Sequence, residues 1–161
     1  MTEPKVDRPH VPGYGIPKSN KGTLPWSWAR ERLDRAMVYW LATTGKDAAP
    51  HLNPIWGAWV NDRWYVEGGP TRWKRNLGEN PQMAIHVEVG EEVVIVEGRA
   101  RAVELTDDAL ANDILAGYAK YKTIGYEAEA SNWTGGGLWE LEPLKAFAWS
   151  SFPKDMTRYT F

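Results

Sequence analysis

The sequence predicts a mainly β protein of the α+β class, in which about six antiparallel strands form a small barrel with short helices at its ends. Runs rich in β-branched and aromatic residues, such as VYWLATT (38–44) and EVVIVEG (92–98), recur along the chain and favour strands. The short turn sequences NDR (61–63) and GE (90–91) join neighbouring runs, which favours antiparallel pairing. A chain of 161 residues is long enough for one domain with a real core.

Capping residues and strand-breaking residues set the predicted boundaries. Ser27 is the expected N-cap of the first helix and Thr106 that of a later one. Pro54 cannot donate to a strand ladder, so it marks an edge or a bulge, and Gly57 marks a close approach to the backbone. In chain order, the predicted elements are a helix at 26–37, strands at 38–44, 51–60 and 64–67, a short helix from 72, strands at 82–89 and 92–105, a helix at 107–122, a loop at 123–137, and one or two strands at 137–151 around Glu142–Pro143.

The N-terminal segment differs in composition from the rest of the chain. Residues 1–24 are polar and rich in proline, and they predict an extended arm without a core of its own. Such an arm is either disordered or laid over a partner surface. The predicted organisation is therefore an arm at 1–24 and a barrel domain at 25–161.

Composition narrows the possible functions. With 19 basic and 21 acidic residues the net charge is −2, so the chain has no large basic field for nucleic acid. The absence of cysteine excludes disulfides and thiolate metal sites, and no apolar run approaches membrane-spanning length. We therefore expect a cytoplasmic protein without nucleic-acid or membrane partners. His10, His51 and His86 lack metal-site spacing, so no metal is expected, and no nucleophile motif identifies a catalytic residue.

The segment EGGPTRWKRNLGENP (67–81) carries the clearest functional signal. It places three cations where a helix should begin, although the positive end of the helix dipole disfavours cations there. A phosphate would remove this mismatch, held by the Thr71 hydroxyl and backbone N–H together with Arg72 and Lys74. The alternative is a solvated basic turn, paired loosely with Glu67 or Glu79.

Ten tryptophans are unusual for this length. They predict core and dimer packing, a flat aromatic ligand, or both. An anion site beside an aromatic-rich β-structure, without an acid–base or nucleophile set, suits an enzyme whose cofactor carries the reaction.

Several motifs resemble those of the flavin-binding split β-barrel superfamily, the pyridoxamine 5'-phosphate oxidase-like proteins, and within it the flavin/deazaflavin oxidoreductases that use coenzyme F420. The motifs are LATT (41–44), PH (50–51), PIW (54–56), GPTRWKRNL (69–77) and NP (80–81), with LPWSWARERL (24–33) before the barrel and AFAW, FP and TR near the end. The resemblance implies a homodimer with cofactor sites at the interface. It also implies that Thr71, Arg72 and Lys74 hold the cofactor phosphate, that Asn76 supports that turn, that Asn53, Pro54, Ile55 and Trp56 run along the ring system, and that Trp149 and Arg158 reach the partner subunit's site.

By this resemblance the chain is an oxidoreductase that transfers a hydride between F420 and a small organic acceptor. An FMN-dependent enzyme of the same fold, a non-enzymatic flavin or haem carrier, and a dimeric domain with a vestigial site are the alternatives. The acidic F420 tail would favour extra cations, for which Arg75, Lys120 and Lys122 are available.

The chain departs from the family pattern at two positions. Trp73 replaces a small residue, and it either packs under the phosphate loop or covers the ring. Glu67 precedes the glycines where relatives often have Ser or Thr, and a carboxylate there must point away from a phosphate.

Overall fold

The computed structural model describes residues 3–133 and 136–161. Residues 134 and 135, in the predicted loop 123–137, and residues 1 and 2, in the predicted arm, lie outside the described residues. In chain order, the elements are β1 (Lys5–Asp7), α1 (Trp26–Arg35), β2 (Tyr39–Thr44), β3 (Pro50–Ile55), β4 (Ala58–Val60), β5 (Arg63–Glu67), α2 (Arg72–Glu79), β6 (Gln82–Val89), β7 (Glu92–Val103), α3 (Asp108–Tyr118), 3-10 helices at Ala119–Ile124 and Ala130–Trp133, β8 (Leu138–Trp149) and β9 (Thr157–Thr160).

The strands form one antiparallel sheet in the order β1-β9-β8-β7-β6-β2-β3, with β5 joined to β8 and β4 joined to β5. The two halves of β8 have different partners on the side away from β7. Residues 138–141 pair with β5, whereas residues 145–148 pair with β9. The sheet therefore divides at the middle of β8 and does not close, which confirms the predicted α+β split barrel.

A bulge lies where the sheet divides. The β7–β8 register shifts between Glu97 and Gly98, so that Glu97 faces Lys145 while Gly98 faces Pro143. A Cβ added to Gly98 would lie 2.0 Å from the carbonyl oxygen of Glu142. The predicted break at Glu142–Pro143 is therefore a bulge beside one continuous strand, which absorbs the proline without ending the ladder.

The predicted strand at 51–60 is wrong, because Gly57 divides it into β3 and β4. A Cβ at this position would lie 2.3 Å from Nε1 of Trp64, so the indole packs directly on the glycine backbone. The Gly57 N–H also donates to the Tyr121 hydroxyl at 3.0 Å. Pro54 lies on β3, which pairs with β2 at the edge of the sheet. The expected close approach at Gly57 and the edge position of Pro54 are both confirmed.

Half of the tryptophans fill the interior. The main core lies inside the barrel, and a second cluster packs α3 against β4 and β5. The buried tryptophans are Trp26, Trp59, Trp64, Trp73 and Trp133. The others are at least partly exposed, so they remain available for a ligand or a second subunit.

Two helix starts differ from the sequence prediction. Pro25, not Ser27, occupies the N-cap position of α1, and no side chain caps that end. Asp107, not Thr106, caps α3, where its Oδ1 accepts from Ala109 N at 2.8 Å and Leu110 N at 3.4 Å. Aspartate is a preferred N-cap residue, and the N-terminal dipole of a helix favours an acidic side chain there. The predicted helix at 107–122 continues beyond Tyr118 only as a 3-10 helix.

The N-terminal arm lies against the chain's own sheet. Its strand β1 pairs with β9, from Lys5 facing Thr160 to Asp7 facing Arg158. Arg8 is 8% exposed and donates to the carbonyl oxygens of Ser19, Lys21 and Met156. Because the Arg8 guanidinium binds three backbone carbonyls, it holds the loop that follows β1 over the end of the sheet.

Lys120 donates to the C-terminal end of α1. The Tyr39 hydroxyl donates to the carbonyl of Leu33, and Lys120 Nζ donates to the Asp34 carbonyl at 2.9 Å and to the Tyr39 hydroxyl at 3.0 Å. Burial lowers the pKa of Lys120 to about 8.

This lowered pKa makes folding stability depend on pH. Between about pH 8 and 10.5 the unfolded chain binds a proton at Lys120 that the folded chain has released, so the free energy of unfolding should rise with pH. We expect Lys120→Met, which keeps the buried stem, to flatten this rise in urea titrations at several pH values. Equal slopes for both proteins would contradict the prediction. Above pH 10 both should lose stability, because burial raises the pKa of tyrosines such as Tyr118 and Tyr159.

Candidate functional site

The first turn of α2 is built to receive an anion. Thr71 is its N-cap, with an extended backbone and a side chain that makes no capping bond. Arg75 N donates to Thr71 O at 3.3 Å, so the N–H groups of residues 72–74 precede the first intrahelical bond. The Thr71 N–H itself donates to Gly69 O at 2.7 Å, so it is not free for a phosphate as the sequence predicted. The Thr71 hydroxyl and the N–H groups of residues 72–74 remain.

The cations of this turn have no acidic partner among the residues that the structure describes. Among residues 3–133 and 136–161, neither Arg72 nor Lys74 takes part in an ion pair, and the first turn holds no acidic residue. Glu67 instead accepts from Tyr126, and Glu79 accepts from Lys46 N. The alternative of a basic turn paired with these two glutamates is therefore not what the structure shows. The uncompensated charge and the free N–H groups fit a phosphate.

Two buried contacts hold α2 against the sheet. Asn76 is 7% exposed, and its Nδ2 donates to the Thr43 hydroxyl of β2 at 3.0 Å. Trp73 is buried in the main core, where a Cβ on Gly68 would lie 2.9 Å from its Cζ2. Trp73 thus packs under the glycine loop and does not cover the candidate ring site. Both contacts fix the direction in which the first turn points.

The predicted residues of β3 divide between the two faces of the sheet. Asn53 and Ile55 face Leu41 and Tyr39 on β2, so they share the face that carries Thr43 and α2. Pro54 is on the opposite face. The Oδ1 of Asn53 is buried and has no partner among the described residues. A buried acceptor on the same face as the cation turn fits a ring that carries an N–H donor.

A cavity of about 380 Å³ lies at the end of β3, with mainly apolar and aromatic walls. The Trp56 ring stacks on Tyr121, with centroids 5.1 Å apart and an interplanar angle of 19°. Its edge meets Tyr126 at 5.3 Å. The lining residues are Val38, Pro54, Ile55, Trp56, Glu67, Tyr118 and Tyr126.

Glu67 lines this cavity and forms no ion pair with the cations of the α2 turn among the described residues. Its Oε1 accepts from the Tyr126 hydroxyl at 2.6 Å. Burial, with this bond and the carboxylate charge, raises the pKa of Tyr126 well above its usual value. The tyrosine is thus held protonated as the donor to Glu67. The departure at Glu67 is therefore compatible with a phosphate at α2.

Trp149 and Arg158 are not among the residues that line this cavity within one chain. Glu67 pairs with Leu138 at one end of β8, whereas Trp149 ends the strand eleven residues further along, roughly 36 Å away at a rise of about 3.3 Å per residue. Arg158 donates to both carboxylate oxygens of Asp7, at 2.7 and 3.0 Å. A role in a partner subunit's site remains a prediction.

The sequence reasoning missed the aromatic wall. Tyr118, Tyr121 and Tyr126 come from α3 and the segment after it, which were assigned to a helix and a loop. The cluster of tyrosines in YAKYKTIGY (118–126) could have indicated it. Of the cations suggested for an acidic tail, Lys120 turns to the end of α1 and Lys122 pairs with Glu127 at 2.6 Å.

No group of three or more His, Cys, Asp or Glu among the described residues could hold a metal ion. No helix in the described part is long and apolar enough to cross a membrane.

An open antiparallel barrel with a helix packed across its edge strands is the architecture of a split β-barrel protein. The chain belongs to the pyridoxamine 5'-phosphate oxidase family, whose model matches residues 28–150. A comparison with curated proteins gave no match.

Solved structures of proteins with this fold are named for different cofactors. An F420 reductase is 22% identical, with a TM-score of 0.56 over 73% of this chain and 94% of its own. A FAD-binding protein from Mesorhizobium loti is 16% identical, with a TM-score of 0.61 over 86% and 96%. A heme-binding protein from Mycobacterium smegmatis is 18% identical, with a TM-score of 0.65 over 90% and 59%. At these identities the likeness shows the fold alone.

Proposed function

We propose that this protein is an oxidoreductase that transfers a hydride between coenzyme F420 and a small organic acceptor. The observation that carries the proposal is the cation turn of α2, which has no acidic partner among the described residues and lies on the same face of the sheet as the buried, unpartnered Oδ1 of Asn53. The similarity in fold to an F420 reductase supports the same reading. A phosphate-bearing ring cofactor needs both an anion anchor and a flat slot.

The predicted site residues would have different roles in binding the cofactor. The Thr71 hydroxyl and the side chains of Arg72 and Lys74 would hold the phosphate, and Asn76 would keep this turn in place. Asn53 and Ile55 would line the ring on the inner face of β3, with Pro54 and Trp56 at its end. When bound, the coenzyme supplies the hydride. The chain's own contribution is orientation of the two reactants and exclusion of water.

FMN is the alternative cofactor, and one observation favours it. Lys120 and Lys122 are already engaged, so of the three cations suggested for the F420 tail only Arg75, exposed on α2, remains. A non-enzymatic flavin or haem protein would show binding without turnover. The similarity in fold to a heme-binding protein supports this alternative.

A parallel titration with F420, FMN and hemin, followed by tryptophan quenching, separates these functions. We expect micromolar or tighter binding of F420 and weaker binding of FMN. Tighter binding of FMN would move the activity to flavin chemistry. Hemin binding with neither of the others would replace the enzyme proposal by a carrier function.

We also propose that the protein is a homodimer, formed through the outer face of the sheet. Partly exposed Trp40, His86, Ile95 and Phe147 face one another across β2, β6, β7 and β8 in a single row. The Trp40 and His86 rings stack at 6.4 Å. Three of these four residues are large and apolar, and a row of such side chains on one sheet face is typical of a buried interface.

The dimer predicts a solution mass of about 36 kDa, twice the 18.2 kDa of the chain. Trp40→Glu should yield a monomer by light scattering, because each interface would bury an unpaired carboxylate. Ile124→Glu changes another exposed apolar residue outside the row and should leave the dimer intact. A monomeric wild-type protein at micromolar concentration would contradict this assembly.

A further inference from the structure

The carboxylate of Glu67 is an unusual group in the wall of the aromatic cavity. The cavity is otherwise lined by apolar and aromatic residues, with Tyr118 and Tyr126 as the other polar groups. Glu67 is half-buried at the end of β5, where it pairs with Leu138 of β8. The backbone pairing fixes the position of its Cα, and the bond from Tyr126 holds Oε1. The carboxylate is therefore held in one place, as a recognition group must be.

No cation among the described residues neutralises this carboxylate. Across the parts of the chain that the structure describes, Glu67 takes part in no ion pair, and its polar side-chain contact is the 2.6 Å bond from Tyr126. One donor leaves most of the acceptor capacity of a carboxylate unused, since its two oxygens offer about four lone-pair positions. A half-buried carboxylate in this state is stabilised by a further donor or cation.

The remaining walls determine the shape of the group that can reach Glu67. Trp56 and Val38 are 40% and 43% exposed, although both are large and apolar, so the cavity presents open apolar surface. The Trp56 face is fixed from behind by the parallel ring of Tyr121. A volume of about 380 Å³ accepts a compact ligand of one or two rings.

We propose that this cavity, at the end of β3 where the cofactor ring would end against Pro54 and Trp56, takes the acceptor, and that Glu67 makes it selective for planar compounds that carry a protonated or donor nitrogen beside the ring. The assignment to the acceptor rests on the proposed oxidoreductase function. The selectivity does not, because it follows from the charge and the walls of the cavity. Anionic ring compounds should be rejected, since they would place a second negative charge beside an unpaired carboxylate.

Calorimetric titration with naphthylmethylamine and with naphthoate tests this selectivity. The two probes share one bicyclic ring and have opposite charges at pH 7. The wild-type protein should bind the amine about tenfold more tightly, the effect of about one charge-assisted hydrogen bond. Glu67→Gln should abolish the difference, and it should fold, because the amide oxygen can still accept from Tyr126.

The control is Glu104→Gln, which removes the same charge from an exposed position between β7 and α3. It should keep the preference for the amine. The proposal is overturned if Glu67→Gln keeps the wild-type ratio, if the wild type prefers naphthoate, or if neither probe binds. The probes need no cofactor and no turnover, so a failed F420 titration would overturn the oxidoreductase and leave the pocket's selectivity intact.

Discussion

Lys74→Ala should weaken binding of the phosphate-bearing cofactor by about 1–3 kcal/mol, roughly 5- to 150-fold in Kd, which is the range for losing a charged hydrogen-bond partner. The physical reason is that the basic side chains of the α2 turn have no acidic partner among the described residues. Lys74 has no acidic partner among the residues that the structure describes; its ammonium group lies 5.9 Å from the centroid of the Trp73 ring, which leaves its N–H donors available to an anion. Its position is set by Trp73 and Asn76, which are buried on either side of it. Fluorescence titration of wild type and variant with the same cofactor measures the effect.

A matched control variant tests whether Lys74 acts through a local contact with the cofactor or only through the overall charge of the protein. Lys5 lies on β1 at the other end of the sheet, where its Nζ is 3.6 Å from Asp7. Lys5→Ala removes the same charge and should change the affinity little, because exposed charges beyond about 10 Å are screened at 0.1 M salt. Unchanged affinity in Lys74→Ala, with the fold intact, would show that the turn is not the phosphate site.

Gly98→Ala should destabilise the fold by about 3 kcal/mol or more, at the upper end of the range for overpacking. The added Cβ would lie 2.0 Å from the Glu142 carbonyl oxygen and 2.8 Å from Cδ1 of Leu141. The first of these atoms is backbone within the β7–β8 ladder, so it cannot rotate away. Relief requires the two strands to separate where β8 changes partner from β5 to β9. Urea unfolding followed by circular dichroism measures the loss.

Gly78→Ala is the corresponding control. Gly78 lies inside α2, and an added Cβ would meet no atom within 4 Å. Alanine is favoured over glycine in a helix interior by about 0.5–1 kcal/mol, so this variant should be neutral or slightly more stable. Equal stability of the two variants would show that the bulge at Gly98 tolerates a side chain.

The parts of the fold that the sequence predicted are those with a local pattern. β2 and β6 are long enough to show alternation of buried and exposed side chains, and each is close to its predicted range. β1 and β9 have only three and four residues, and they pair across almost the whole chain. Strands of that length carry no readable period, so their pairing appears only in three dimensions.

The candidate site likewise has a part that could be predicted from the sequence and a part that could not. The cations and glycines of the α2 turn are contiguous, so their meaning could be read directly from the sequence. The Glu67–Tyr126 pair spans 59 positions, and the stacking of Trp56 on Tyr121 spans a similar distance. The error at the α3 cap has a local cause, because Thr106 and Asp107 are adjacent and both are good N-caps.

The pairing of β1 with β9 has a consequence for biosynthesis. A chain leaves the ribosome from its N-terminus, and a domain generally folds as a unit. Residues 5–7 emerge early, but their partners at 158–160 emerge after the whole barrel has been made. Arg8 likewise waits for the carbonyl of Met156. The arm therefore stays unpaired until β9 has left the ribosome, and its docking then covers the edge of β9 that faces away from β8.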